Sequence, residues 1–170
     1  MSASIDPLLI DVPSVLQGER VLLRPLVDSD AHTLFEAVDQ SRSHLAPWML
    51  WAEAHRSVDD SLLYIRRSQA EWILRGRLPV GIFETATDTF VGGSGLERID
   101  WRVRRFEIGY WLRASAQGRG YVHEAVQLLT ALAFRELAAK RVQIRMDPRN
   151  ERSERVAQRL GFVFEGTLAE

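Results

Sequence analysis

Residues 105–121 read Arg-Phe-Glu-Ile-Gly-Tyr-Trp-Leu-Arg-Ala-Ser-Ala-Gln-Gly-Arg-Gly-Tyr, and the fold is decided there. Over 105–112, Phe106, Ile108, Tyr110 and Leu112 alternate with Glu107, Gly109 and Trp111, which is the period of a strand. Both sets are mostly apolar, so this strand is expected to be covered on both faces. The turn Gln117-Gly118-Arg119-Gly120 follows. Then Val122, Ala125, Val126, Leu129, Leu132 and Ala133 recur at helical spacing, predicting a long helix from Tyr121 to about Leu137. A helix start carries unpaired N–H donors and the positive end of the helix dipole, so it can hold a diphosphate. Glycines there let the ligand come close to the backbone. The turn alone is not specific. A dinucleotide fingerprint needs a third glycine where His123 stands, and no G-K-[S/T] follows as in a P-loop.

Working outward, residues 19–26 read as a strand closed by Pro25. Asp28 is placed to cap a helix through Ala31, Leu34, Phe35 and Val38. Ser43 to Ala54 is rich in aromatics and broken by Pro47. Ser57, three residues before Asp60, opens a helix running to about Arg75. Strands are expected over 78–85 and 89–98, around Ala86-Thr87-Asp88, and over 141–147, where Val142, Ile144 and Met146 share a face. Asn150 caps a short helix that Gly161 ends, and a last strand is read over 162–168. The order predicts a single α/β domain over 1–170, a mixed sheet layered with helices.

The length of 170 residues, with 46% hydrophobic and 26% charged residues, is that of a globular domain with one core. The absence of cysteine removes disulfides, thiolate metal sites and thiol nucleophiles, and fits a reducing compartment. Met1 to Leu16 has no basic start before an apolar run and is not read as a signal peptide. No apolar stretch approaches the roughly 20 residues that span a bilayer. The net charge of −1 argues against an electrostatic nucleic-acid binder. Arg98 to Arg105, with Trp101 among its arginines, reads as a solvated hairpin loop, with contact to nucleic acid as its alternative. Charge is nevertheless uneven. Residues 1–97 hold 8 Arg against 14 Asp/Glu, whereas 98–160 hold 14 Lys/Arg against 7 Asp/Glu. A basic segment suits a phosphate-bearing ligand and an acidic one a cation.

Taken together and in order, E-I-G-Y-W-L (107–112), Q-G-R-G-Y (117–121), D-P-R-N-E-R-S (147–153) and R-L-G-F (159–162) resemble the GNAT superfamily of N-acetyltransferases. Within it, L-L-R-P-L (22–26) and A-P-W-M-L-W (46–51) look like the RimJ/RimL branch of protein N-terminal acetyltransferases. The resemblance covers Gly18 to Glu170. It implies the GNAT fold, a mixed and mostly antiparallel sheet with helices on both faces. It further implies acetyl-CoA as co-substrate, no metal, and a cytoplasmic enzyme with neither membrane nor nucleic acid as partner. The family's final strand is expected to be lacking: either the chain is truncated, or the sheet edge is covered by something else, such as a partner subunit in a homodimer.

By resemblance, the backbone of Tyr110, Trp111 and Leu112 lies along the pantetheine arm. The N–H groups of Gln117, Gly118, Arg119, Gly120 and Tyr121 cradle the pyrophosphate. Asn150 contacts the arm, and Ser153 sits near the thiol as proton donor to the leaving thiolate, its alternative being an ordinary serine in the first turn of the helix that Asn150 caps. Ser115 stands where relatives usually carry Gln or Arg, a departure that leaves the backbone cradle intact and puts in question the side-chain contact made there by relatives. Glu107 is the candidate general base, and its alternative is a glutamate paired with Arg104, Arg105 or Arg145. Trp48 and Trp51 are candidates for the acceptor pocket, with core packing as their alternative. His32, His44, His55 and His123 show no metal-ligand spacing. The acceptor is read as the α-amine of a protein or peptide. The alternatives are a small amine (polyamine or aminoglycoside) and a catalytically silent acyl-CoA-binding module.

Overall fold

The computed structural model describes residues 6–168; residues 1–5 of the Met1–Leu16 segment and residues 169–170 lie outside it. Chain order is β1 (Leu16–Gln17), β2 (Val21–Arg24), α1 (Ala31–Leu45), α2 (Trp51–Ala54), α3 (Val58–Leu74), β3 (Leu78–Glu84), β4 (Thr89–Asp100), β5 (Arg105–Leu112), α4 (Tyr121–Arg135), β6 (Arg141–Gln143) and α5 (Glu151–Arg159). The six strands form one sheet in sequence order. Every pairing is antiparallel except β5 with β6, which α4 connects as the crossover a parallel pair requires.

Strand alternation sends side chains to both faces. Leu78, Val80, Ile82, Leu96, Phe106 and Ile108 pack against the buried stripe of α4, which is Ala125, Val126, Leu129, Leu132 and Ala133. On the opposite face Phe83 and Phe90 pack against Leu34 and Val38 of α1 and Ile65 of α3. The expected mixed sheet with helices on both faces is therefore the observed architecture.

The caps follow from local chemistry. Ser57 Oγ accepts from the N–H of Asp60 at 3.1 Å, and the Asp60 carboxylate accepts from Ser57 Oγ and the Arg56 N–H, closing the start of α3. Asn150 Oδ1 accepts from the Ser153 N–H at 3.2 Å and starts α5. Asp28 does not cap α1. It opens a 3₁₀ turn over Asp28–Asp30, and Asp30 instead accepts from the Val27 N–H at 2.7 Å.

Two strand expectations are corrected. The strand read over 141–147 shortens to Arg141–Gln143, because only that stretch meets β5. Residues 162–168 form no strand. A strand exists through hydrogen bonds with a neighbour, and among the described residues none lies alongside this segment. Val163, Phe164 and Leu168 are exposed there, and the segment is tied to β6 by the Arg141–Glu165 ion pair.

Candidate active site

One side of β5 is paired with β4 along its length, from Glu97↔Glu107 to Gly92↔Leu112. On the other side β6 pairs with Arg105, Phe106 and Glu107, and then the strands part. Among the described residues no strand pairs with Ile108–Leu112 on that side, so the edge of β5 is open where it approaches the glycine turn.

In that turn Gly118 and Gly120 adopt φ of +77° and +80°, left-handed conformations that side-chain-bearing residues rarely accept. A Cβ placed on Gly118 would meet nothing within 4 Å, so the turn faces open space. From Gln117 to His123 no backbone N–H has an acceptor among the described residues. A run of unpaired donors at the positive end of a 15-residue helix is a ready-made anion site. Arg119 lies beside it, 3.9 Å from Glu84, and Arg20 donates to the Arg119 carbonyl at 3.4 Å. Hydrogen bonds from Thr87 and Tyr121 hold the Glu84 carboxyl below its usual range. A groove of about 410 Å³ runs along α4 from His123 to Arg135, closed on its other side by the C-terminal end of α5 at Arg159 and by Phe162.

The start of α5 closes the other wall. The Tyr110 hydroxyl donates to the carbonyl of Ser153 at 3.2 Å, and burial pushes its phenol pKa up. Tyr110, Asn150 and Ser153 are thus brought together beside the open edge of β5. Trp111 and Leu112 end that strand. The Trp111 indole lies across Gly93, where a Cβ would fall 2.6 Å from its Nε1. Trp111 makes edge contacts with Phe90 (5.8 Å between centroids) and Trp51 (5.6 Å), and Trp51 makes another with His55 (6.1 Å). Trp51 is 40% exposed, so the aromatic row runs from the strand end to the surface. Trp48, 37% exposed, stands outside that row.

Glu107 sits lower, within the stretch still paired to β6. Its side chain is 12% exposed and accepts from Arg145 Nε at 2.6 Å and Gln143 Nε2 at 3.0 Å, with Arg98 at 3.7 Å. The Arg145 pairing weighed against a catalytic role in the sequence is present in the structure.

A polar network escaped the sequence reading. The Gln117 side chain is held between His44 of α1 and Arg152 of α5. Those residues are 73 and 35 positions from Gln117. No local spacing could reveal them. Among the described residues no group of three His, Asp or Glu side chains is arranged to hold a metal, and no helix is long and apolar enough to cross a membrane.

Residues 20–163 match the family model described as an acetyltransferase (GNAT) domain. Bacillus subtilis (strain 168) YdaF, whose name assigns it provisionally to ribosomal N-acetylation, is 33% identical over 153 residues, covering 88% of this chain and 81% of its own. The microcin C7 self-immunity acetyltransferase MccE, solved with acetyl-CoA and AMP, superposes with a TM-score of 0.84 at 25% identity, covering 91% of this chain and 86% of that one. Mycobacterium smegmatis RimJ, solved with CoA-disulfide, gives 0.77 at 28% identity, covering 86% and 71%.

Proposed function

Because the chain belongs to the GNAT acetyltransferase family, we propose that it transfers acetyl from acetyl-CoA to the α-amine of a protein or peptide N-terminus. The observation that carries this reading is the parting of β5 from β6 next to seven consecutive unpaired amides, Gln117 to His123. A thioester whose diphosphate lies on those amides has its acyl end directed toward the open edge of β5. There Tyr110, Trp111 and Leu112 offer backbone partners to the pantetheine arm, and a backbone N–H polarises the carbonyl. Asn150 and Ser153 form the facing wall, with Ser153 near the departing thiolate. Trp51 leads from the strand end to the surface on the acceptor side, while Trp48 is exposed outside that row.

The reaction is direct attack of a neutral amine on the thioester. The new N–C bond forms as the C–S bond breaks, and the proton lost by nitrogen balances the one gained by the thiolate. An α-amine of pKa about 7.8 costs roughly 1 kcal/mol to deprotonate at pH 7, whereas a lysine at about 10.4 costs nearly 5. Glu107 is already engaged by Arg145 and Gln143, which suits an acceptor that needs little help from a base. The peptide preference is supported by the name of YdaF, which gives that relative a ribosomal acceptor. A cytoplasmic setting fits a chain without cysteine.

Thiol release measured with N-terminal peptides, a polyamine and an aminoglycoside tests the proposal. Faster turnover of peptides at equal concentration is expected. Faster turnover of a small amine would overturn the acceptor class. Acetyl-CoA binding without turnover of any acceptor would overturn the enzymatic reading.

A further inference from the structure

Arg152, Gln117 and His44 come from α5, the glycine turn and α1, and their donor chemistry leaves one arrangement. Arginine can only donate, so the Gln117 atom facing Arg152 is the carbonyl Oε1. The amide NH₂ then faces His44 Nε2, which must accept and therefore carries no proton, placing the ring proton on Nδ1. Protonation of His44 would set an N–H against the NH₂ group. Flipping the amide would relieve that clash only by turning NH₂ toward Arg152. No orientation of Gln117 satisfies both neighbours once His44 is an imidazolium. Gln117 begins the run of unpaired amides, so the fixed amide also fixes where that run starts.

We propose that His44 is a positioning residue for acetyl-CoA, whose Nε2 lone pair holds Gln117 and through it the diphosphate-binding turn, so that the cofactor binds neutral His44 in preference to the imidazolium. This rests on the site assignment made above. The surroundings agree with it. His44 is half-buried, and burial, reinforced by the Arg152 charge, lowers its pKa from the usual 6.5. The C-terminal turn of α1, where His44 lies, favours a cation and opposes that shift, but the net direction is downward. One turn earlier on α1, the linker residue Arg113 donates to Gln40 at 2.6 Å. From α5, Arg152 is the charge that acts on His44. Asp39 and Arg42, also on α1, pair with each other.

Calorimetry with CoA at pH 7.5 and pH 5.0 tests the proposal. The phosphates of CoA also titrate in this range, and His44→Gln supplies the reference, since its carbonyl accepts from Gln117 and does not titrate. The Kd of the wild-type chain is expected to rise on the order of tenfold more than that of His44→Gln as pH falls. His44→Leu, lacking an acceptor, binds weakly at both pH values. Superimposable profiles for wild type and His44→Gln overturn the inference alone. Tighter binding at low pH, as plain attraction between imidazolium and phosphate predicts, also overturns it. Absence of CoA binding by the wild-type chain at pH 7.5 overturns the site assignment itself. A ligand-free measurement stands beside these. Nitrogen-15 NMR of the histidines should show the Nδ1–H tautomer at His44, with a pKa that rises in Arg152→Met. The Nε2–H tautomer, or an unchanged pKa in that variant, refutes the arrangement.

Discussion

Gly92→Ala is expected to loosen the end of β5 that faces the glycine turn. Gly92 is paired with Leu112, and an added Cβ would fall 2.1 Å from the Trp111 carbonyl oxygen and 2.9 Å from Leu112 Cα. Both are backbone atoms and cannot swing aside. Retreat to an ordinary contact of 3.4 Å moves β5 away from β4 by about 1.3 Å. Neighbouring strands sit about 4.8 Å apart, so ladder hydrogen bonds stretched that far are lost. Two or three such bonds at about 1 kcal/mol each give a destabilisation of roughly 2–3 kcal/mol. For a chain of this size that is a fall in Tm of about 4–12 °C. Gly109→Ala is the control on the facing strand. Its Cβ would meet only Glu97 Cγ at 3.7 Å, an ordinary contact. Reduced freedom of the unfolded chain should then leave it unchanged or more stable by about 0.4–1 kcal/mol. Thermal melts followed by circular dichroism compare the pair, and calorimetry reads acetyl-CoA binding. Gly92→Ala should also raise Kd by about tenfold or more, because the displaced strand end is the proposed pantetheine partner. Equal melting temperatures for the two variants would refute the steric argument.

Trp51→Ala removes edge contacts worth about 0.5–1.5 kcal/mol each and should raise the peptide KM several-fold while leaving the Kd of acetyl-CoA in place. A matching loss of acetyl-CoA affinity would count against its acceptor role. Glu107→Gln should slow turnover of a lysine-type or polyamine acceptor more than that of an α-amine, as read from kcat at pH 7, and equal losses would exclude it as the base. Ser57→Ala removes the cap of α3 and should cost about 1 kcal/mol, a Tm fall of about 2–4 °C, and an unchanged melt would contradict the cap. Burial alone would raise the Asp30 pKa, but hydrogen bonds from Arg24 and the Val27 N–H outweigh it, so the folded value is lowered. A depressed carboxylate stabilises above its ordinary pKa of about 3.9, and that contribution is lost as pH falls through the folded value. The Tm difference between wild type and Asp30→Asn should therefore shrink between pH 5 and pH 3, and a constant difference would refute the pairing.

The elements that sequence resolved are those whose signal is local. Phe106, Ile108, Tyr110 and Leu112 alternate, and β5 spans the expected residues, Arg105–Leu112. Ser57 and Asn150 cap the helices they were expected to cap, because an N-cap bond reaches only three residues ahead. The failures concern what lies across space. Val163 and Phe164 have strand-like character, yet a strand needs a neighbour, and composition cannot say whether one is present. Asp28 is the cap expected from sequence, yet it opens a 3₁₀ turn, and the neighbouring Asp30 caps nothing in α1 because Arg24 of β2 binds its carboxylate at 2.8 and 2.9 Å. At the site, the backbone donors of the glycine turn were legible because glycine at positive φ carries its own signature. The side-chain bonds of Gln117 were not, since each partner sits on a helix brought in by tertiary packing.

The two halves of the site answer different physical demands. Binding acetyl-CoA asks for fixed dipoles, since a multiply charged diphosphate is held by amides whose direction is set before it arrives. On the proposed reading, two left-handed glycines, the first turn of α4 and the Gln117 side chain held by His44 and Arg152 would supply such an array. The chemical step asks for less. With an α-amine as nucleophile and a thiol as leaving group, the uncatalysed proton transfers are each within a few pKa units of neutrality. A carboxylate tied to Arg145 and Gln143, as Glu107 is, would be a poor choice where a lysine had to be deprotonated. It is tolerable where orientation is the main requirement. The division follows from the fold, because the strand that parts from its neighbour beside the glycine turn is the same strand whose lower half stays paired. Glu107 lies on the paired half, and its ion pair helps to hold β6 against β5 up to the point at which they separate.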